Sequence, residues 1–219
     1  MKNKFRKLSK ISLTLIYLVI VAGAIVRMTG SGMGCPDWPK CFGYYIPPTD
    51  SKQLLFKPNN YYEKGMMVLL DDEAFLVAKK DFTSKDLFDA TNWKVYSKHN
   101  YVSYDPVHTW VEYINRLIGV LSGIPILIFS ILSFWFWKKN KWIPIISMLT
   151  LFGMGFQAWL GKTVVDSNLA PYKITVHMLM ALLIVAFILY LIFASKSSYK
   201  RQIYHNKFYK ILVFAIILS

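Results

Sequence analysis

The chain has 219 residues, of which 55% are hydrophobic and only 17% charged, and its mean hydropathy is +0.36. This composition excludes a disordered chain, a nucleic-acid-binding tail and an ordinary soluble domain. The formal net charge of +14 would indicate a polyanionic partner in a soluble protein. Because the charge is unevenly distributed along the chain, it indicates membrane topology instead, and we expect no nucleic-acid partner.

Four apolar segments are long enough, or nearly so, to cross a bilayer, which takes about 20 helical residues. They predict membrane helices at 11–26, 107–137 (apolar from Leu117), 142–160 and 172–194. A fifth apolar segment occupies 208–219, so we expect the chain to continue beyond it. The first segment has the basic start of a signal peptide, but the lack of a small-residue cleavage pattern favours a membrane anchor. The predicted fold is an all-α integral membrane protein, a four-helix transmembrane bundle plus the start of a fifth helix.

Thirteen basic residues lie in three segments without any acidic residue, 1–10, 138–141 and 196–210. The long first connection, 27–106, carries ten basic and ten acidic residues. Because basic residues are retained on the cytoplasmic side, we expect the N-terminal tail, 1–10, in the cytoplasm and the long loop outside. The expected location is a bacterial inner membrane.

Two cysteines, Cys35 and Cys41, bracket the sequence Cys-Pro-Asp-Trp-Pro-Lys-Cys in the loop. An oxidising compartment and the short spacing favour a disulfide between them. Zinc would need two more ligands, and none lies nearby in the sequence. The favoured interpretation is a structural staple, and the alternative is an exchangeable pair that meets a redox partner.

The rest of the loop predicts an extracytoplasmic subdomain with a small β-hairpin. Strands at 66–70 and 74–78 flank an acidic turn at 71–73, Ser84 is predicted to cap a short helix at 85–90, and 93–97 could form another strand. Nothing in this subdomain indicates catalysis.

The second membrane helix carries a polar face at its outer end. His108, Glu112, Asn115, Gly119 and Gly123 share one face at helical spacing. Polar residues so close to hydrocarbon normally turn toward a bundle or cavity, and the glycines let a helix or a flat ligand approach. The alternative is a helix end whose Glu112 and Arg116 form a surface pair worth a few tenths of a kcal/mol.

The third and fourth helices add further polar positions. Gly153, Gln157 and Gly161 recur at four-residue intervals, which for the glycines favours helix packing. His177 is the only histidine inside the apolar part of a predicted span. It could hydrogen-bond another helix, or it could bind heme iron, for which neutral imidazole is the usual protein ligand.

Three segments carry a resemblance to the heme A synthase family. Residues 26–41 resemble the loop after the family's first helix, and 112–119 resemble its Glu-x-x-His-Arg motif. Residues 157–171, followed by His177, resemble the segment that leads to its second histidine. The three segments occur in the family's order across four helices.

The resemblance implies a protein built from two similar four-helix halves, of which this chain resembles the first half plus the start of the fifth helix. It implies that one ring methyl group of heme O is hydroxylated successively to the aldehyde of heme A, for cytochrome oxidase. Heme O would be the substrate in this half, near the outer surface, and heme b would be bound in the second half. The lipid bilayer, heme O synthase and cytochrome oxidase assembly proteins are the expected partners.

The resemblance also assigns roles to residues at matching positions. Glu112 would be the catalytic carboxylate, His177 an axial iron ligand, and Cys35 with Cys41 the loop disulfide. Arg116 could pair with a heme propionate, since a guanidinium matches a carboxylate.

One departure from the family lies at Asn115, where the motif has histidine and the amide is a poor iron ligand. His108, two turns earlier and about 10 Å further out, is the candidate replacement; otherwise His177 holds the iron alone, or this half has lost activity. The long hairpin-containing loop is a second departure. Two other functions remain open at this point: a non-catalytic heme-binding membrane protein, and an assembly or thiol-relay factor that uses the cysteines.

Overall fold

The structure, a computed structural model, describes residues 2–70, 74–97 and 103–196. Its long elements are four α-helices, α1 (Lys2–Met28), α2 (Pro106–Ser133), α3 (Trp142–Asp166) and α4 (Pro171–Ala194). Within the described residues, these four are long and apolar enough to cross a membrane. The predicted four-helix membrane architecture is therefore observed, while the predicted fifth segment, 208–219, lies outside the described residues.

The helices form a ring in which α1 contacts α2 and α4, and α3 contacts the same two helices. A single 3₁₀ turn, Phe134–Phe136, precedes the connection from α2 to α3, and only residues 167–170 join α3 to α4. These short connections make α2, α3 and α4 successively antiparallel, and the contact of Arg27 with Met178 places the end of α1 beside the first turns of α4. We call the end where α1 begins and α4 ends the basic end, and the end where α1 ends and α4 begins the loop end.

The main apolar core of the bundle lies toward the basic end. On α1, α2 and α4, the buried core residues nearest the loop end are Ile16, Ile126 and Ile184, respectively. The Ser130 hydroxyl donates to the Ser147 carbonyl at 3.0 Å and links α2 to α3 within this half. In the half of the bundle nearer the loop end, which we call the loop half, the buried residues of α2 include the polar Thr109 and Glu112.

The loop between α1 and α2 folds into two small antiparallel sheets. Their strands are β1 (Tyr61–Tyr62), β2 (Met67–Leu70), β3 (Ala74–Ala78), β4 (Phe82–Thr83) and β5 (Trp93–Val95). One sheet has the order β2-β3-β5 and the other pairs β1 with β4. The predicted hairpin strands and the strand at Trp93 are confirmed, whereas the acidic turn, 71–73, lies outside the described residues.

The short helix predicted after Ser84 is wrong. Residues 85–89 form no helix, and a 3₁₀ turn at Ala90–Asn92 follows them, capped by Asp89. The Ser84 hydroxyl instead donates to the Lys57 carbonyl at 2.8 Å and accepts from the Asn60 N–H at 3.0 Å. The side chain that was expected to cap a helix thus joins two distant loop segments.

Candidate functional site

The disulfide loop lies directly against the loop end of α2. Cys35 and Cys41 are joined as predicted, and both residues are buried, with 0% and 1% of their surface exposed. Thiol–disulfide exchange requires a thiolate to reach a sulfur atom. Their burial therefore favours the structural staple over the exchangeable pair.

Glu112 and Arg116 fasten this loop to α2. One Glu112 oxygen accepts from the Cys35 backbone N–H at 2.9 Å, and the other pairs with Arg116. The Arg116 guanidinium also donates to the carbonyls of Cys35 at 3.0 Å and Asp37 at 2.9 Å. Since Glu112 is only 4% exposed, the pair is a buried connection between α2 and the loop rather than a surface pair.

A glycine allows the loop to come this close to the helix. A Cβ atom on Gly34 would lie 2.4 Å from the His108 carbonyl oxygen, a distance that real side chains do not tolerate. At the same place the Thr109 hydroxyl donates to the Gly34 carbonyl at 2.9 Å. Backbone contact with the first turns of α2 therefore requires glycine at this position.

Asp37 holds the turn that closes the disulfide loop. Its two carboxylate oxygens accept from the N–H groups of Phe42 at 2.6 Å and Gly43 at 2.8 Å. Burial raises the pKa of the Asp37 carboxyl, although these two N–H groups and the charge of Arg116 act in the opposite direction. The turn is thus organised by one side chain that lies between the two cysteines in sequence.

His177 forms the centre of a second cluster, between α3 and α4. The Gln157 amide nitrogen donates to the His177 carbonyl at 2.9 Å and lies 3.4 Å from the His177 Nε2. A Cβ atom on Gly161 would lie 3.4 Å from His177 Cε1, so the glycine leaves room for the imidazole ring. Gly153 packs tightly against α4, since an added Cβ would lie 2.9 Å from Met180 Cε.

Asn115 lies on the opposite side of the loop half, between α1 and α2. A Cβ atom on Gly23 would lie 3.9 Å from the Asn115 side-chain oxygen, whereas one on Gly119 or Gly123 would meet nothing within 4 Å. The predicted polar face of α2 therefore has open space next to its glycines, in contrast to the tight packing at Gly153.

Three buried polar atoms in this half have no hydrogen-bond partner among the described residues: Asn115 Oδ1, Gln157 Oε1 and His177 Nδ1. Buried polar groups are normally satisfied, so unpartnered ones call for a ligand, a water molecule or another functional explanation. Two of the three lie on residues that the sequence assigned to heme. The unpartnered imidazole nitrogen of His177 is the kind of donor that a ligand carrying its own metal, such as heme, would use.

Within the described ranges, no group of three or more His, Cys, Asp or Glu residues could hold a bare metal ion. Heme needs only one or two axial ligands from the protein, because the macrocycle supplies the other four. His177 satisfies this smaller requirement, whereas a protein-built metal centre would need further ligands.

The predicted site residues thus fall into two groups. Glu112 and Arg116 meet the disulfide loop, whereas His177 and Asn115 line the loop half, with no hydrogen bond between them among the described residues. His108 lies in the first turn of α2, where its backbone N–H donates to the Asp105 carboxylate at 2.9 Å. Sequence reasoning missed Asp37 and Thr109; a carboxylate between two cysteines and a hydroxyl one turn before Glu112 were the available signals.

The structure defines a multi-pass membrane protein, a helical bundle with a disulfide-stapled loop and a polar cluster between its helices. The chain belongs to the cytochrome oxidase assembly protein family COX15-CtaA, which matches residues 6–74 and 80–219. Its relatives include proteins named heme A synthase. It is 26% identical to that of Shewanella oneidensis over 78% of this chain, and 28% identical to that of Bartonella tribocorum over 82%.

The heme A synthase of Flavobacterium psychrophilum is 26% identical over 86% of this chain. The chain spans 40%, 45% and 50% of the lengths of these three relatives, in the order given. The chain therefore corresponds to at most half of each of these relatives. The family match covers the disulfide loop and nearly all of the four described helices.

Proposed function

We propose that the protein is a heme-modifying membrane oxidoreductase that takes part in converting heme O to heme A for cytochrome oxidase. The observation that carries this proposal is the unpartnered His177 nitrogen in a loop half that also contains unpartnered amide oxygens. Membership of the COX15-CtaA family and the relatives named heme A synthase support it. Heme O would be the substrate of this half, and heme b, with its own iron, the expected resident cofactor of the complete enzyme.

His177 would bind the iron of the substrate heme as an axial ligand. Gln157 contacts both the ring and the carbonyl of His177, so it would fix the orientation of the imidazole. When heme is bound, its iron supplies redox chemistry that no amino-acid side chain provides. The chain's own residues would bind and orient the macrocycle and exclude water from it.

Glu112 is proposed as the catalytic carboxylate. Both of its oxygens accept hydrogen bonds from groups of the loop or α2, so its position is fixed before any substrate arrives. A fixed negative charge in a buried site stabilises positive charge that develops on a substrate, and a carboxylate can also take up a proton. Arg116 and the disulfide loop would keep this carboxylate in place.

Asn115, Arg116 and His108 have supporting roles in the proposal. Asn115 would face the macrocycle, where its amide would be a poor iron ligand. Arg116 could still meet a propionate, but it would have to share donors that now bind loop carbonyls. His108 would reach the iron only if the heme sat closer to the loop end.

We further propose that the N-terminus is cytoplasmic and the loop extracytoplasmic, in a bacterial inner membrane. The basic residues at the basic end of the bundle support this orientation. A reporter fused after Lys196 should be active in the cytoplasm, and one inserted near Asp81 should be active outside. Activity of both reporters on the same side would contradict the orientation.

The test of the enzymatic function is Glu112→Gln, with the bound hemes extracted and identified by chromatography. Glutamine keeps the size of the side chain and removes its charge. We expect the protein to retain heme, while the amount of heme A falls or the alcohol intermediate accumulates.

The matched control is Glu63→Gln, which changes a half-exposed glutamate that pairs with Lys40 at 3.0 Å in the outer loop. This variant should yield the normal products. Unchanged products from Glu112→Gln would remove the catalytic assignment, and unmodified heme from the unaltered protein would favour a purely heme-binding function.

A further inference from the structure

The cations at the loop end of the bundle differ in their partners. Arg116 is paired with Glu112 and Lys162 with Asp166, so both have a carboxylate. Within the described part of the chain, neither Arg27 nor Lys173 forms an ion pair. Arg27 Nη1 lies 3.6 Å from the Met178 sulfur, and Lys173 Nζ lies 3.4 Å from the Thr163 carbonyl oxygen.

These uncharged partners occupy few of the donors of the two cations, and because Arg27 is exposed and Lys173 half-buried, the other donors are accessible to a ligand. Arginine has five N–H donors and lysine three, and a thioether sulfur is a weak acceptor. Lys173 also lies in the first turn of α4, where the helix dipole disfavours a cation and no acidic residue is present to offset it. An anion bound at this end of α4 would offset the positive charges of Lys173 and of the helix N-terminus.

Both cations stand one helical turn outward from the polar cluster. Arg27 follows Gly23 by four residues on α1, and Lys173 precedes His177 by four residues on α4, so each shares a helix face with its neighbour. Four residues correspond to about 6 Å along a helix. The contact with Met178 brings Arg27 across from α1 to the α4 turn that carries His177.

We propose that Arg27 and Lys173 form a two-cation site that binds the two carboxylates of the tetrapyrrole at the loop end of the bundle. This inference rests on the proposed function, because it assumes a macrocycle bound near His177. The apolar ring would then lie in the loop half, with its carboxylate edge directed outward. The planar guanidinium of Arg27 suits bidentate binding of one carboxylate, and the compact ammonium of Lys173 suits the other.

Arg27 and Lys173 would thus bind the carboxylates of the macrocycle. Arg116 is poorly placed to do so, because its guanidinium already binds the loop and Glu112. The two cations would determine which edge of the macrocycle faces outward. A tetrapyrrole whose carboxylates are blocked should therefore lose both affinity and orientation.

The test measures porphyrin binding by absorbance, with protein produced in heme-deficient cells and purified in detergent. The probes are iron protoporphyrin IX, which has two free carboxylates, and its dimethyl ester, which has none. We expect the unaltered protein to bind the diacid roughly tenfold to hundredfold more tightly than the ester, as charge-assisted hydrogen bonds predict.

The variants Arg27→Gln and Lys173→Gln should each weaken binding of the diacid and leave binding of the ester nearly unchanged. Lys52→Gln is the control, because Lys52 is an exposed loop lysine, and it should not alter the preference. Equal affinity of the unaltered protein for diacid and ester, or full retention of the preference in the double variant, would overturn the two-cation site. Failure of the unaltered protein to bind either porphyrin would instead overturn the proposed function on which it rests.

Discussion

Replacing Arg116 with glutamine should release the disulfide loop from α2. The substitution leaves Glu112, which is 4% exposed, without a charged partner among the described residues and with neutral backbone donors such as the Cys35 N–H. Removing one member of a buried ion pair typically costs about 3–5 kcal/mol, because the other charge stays buried without compensation. This cost should appear as a higher population of molecules in which the loop has detached.

The reverse substitution, Glu112→Gln, should cost less, about 1–2 kcal/mol. Arg116 would keep its hydrogen bonds to the carbonyls of Cys35 and Asp37, and the glutamine oxygen could still accept from the Cys35 N–H. The difference in cost follows from which charge is left without a partner.

Native-state proteolysis of the loop, in detergent micelles, measures this opening. We expect Arg116→Gln to raise the open population by roughly two to four orders of magnitude and Glu112→Gln by roughly one. The exposed Lys40–Glu63 pair provides the control, since Lys40→Gln should cost no more than about 1 kcal/mol. Equal sensitivity of the two site variants, or greater sensitivity of Glu112→Gln, would refute this account of the loop attachment.

Three further outcomes are expected. Gly34→Ala should detach the loop in the same proteolysis assay, because its Cβ would meet the His108 carbonyl at 2.4 Å, while Gly155→Ala, with no atom within 4 Å of the added Cβ, should not. Asn115→His should shift the absorption spectrum of bound heme toward six-coordinate, low-spin iron, and an unchanged spectrum would place Asn115 away from the iron. The hydrogen bond from the His108 N–H lowers the pKa of Asp105, so the capping of α2 by this carboxylate is complete above the ordinary aspartate pKa of 3.8 and is lost as the pH falls through the lower folded value. Amide exchange in the first turn of α2 should become faster, relative to its intrinsic rate, over this pH range. In Asp105→Ala this pH dependence should disappear.

The elements determined by local pattern could be predicted from the sequence. Long apolar runs identified four spans, and two short apolar runs on either side of the acidic residues 71–73 identified the hairpin strands. Both patterns depend only on residues that are close together in the sequence. The helix predicted at 85–90 failed because the Ser84 hydroxyl bonds across the loop to Lys57, 27 residues earlier.

The attachment of the loop to α2 could not be predicted either, because its contacts join residues that are far apart in the sequence. Spacing alone made Glu112 and Arg116 an i, i+4 pair of little energetic value, but their other partners, Cys35 and Asp37, lie 77 and 79 residues away. His177 was recognisable because a histidine is unusual within a span, and its contact with Gln157 emerged only from the packing of α3 on α4.

The most direct test of a heme site in this half is the heme content and absorption spectrum of His177→Ala, measured with and without added imidazole. If the imidazole of His177 holds the iron, the variant should lose or spectrally alter the heme of this half, and free imidazole should restore the spectrum. A His177→Ala protein with unchanged heme content and an unchanged spectrum would contradict the site.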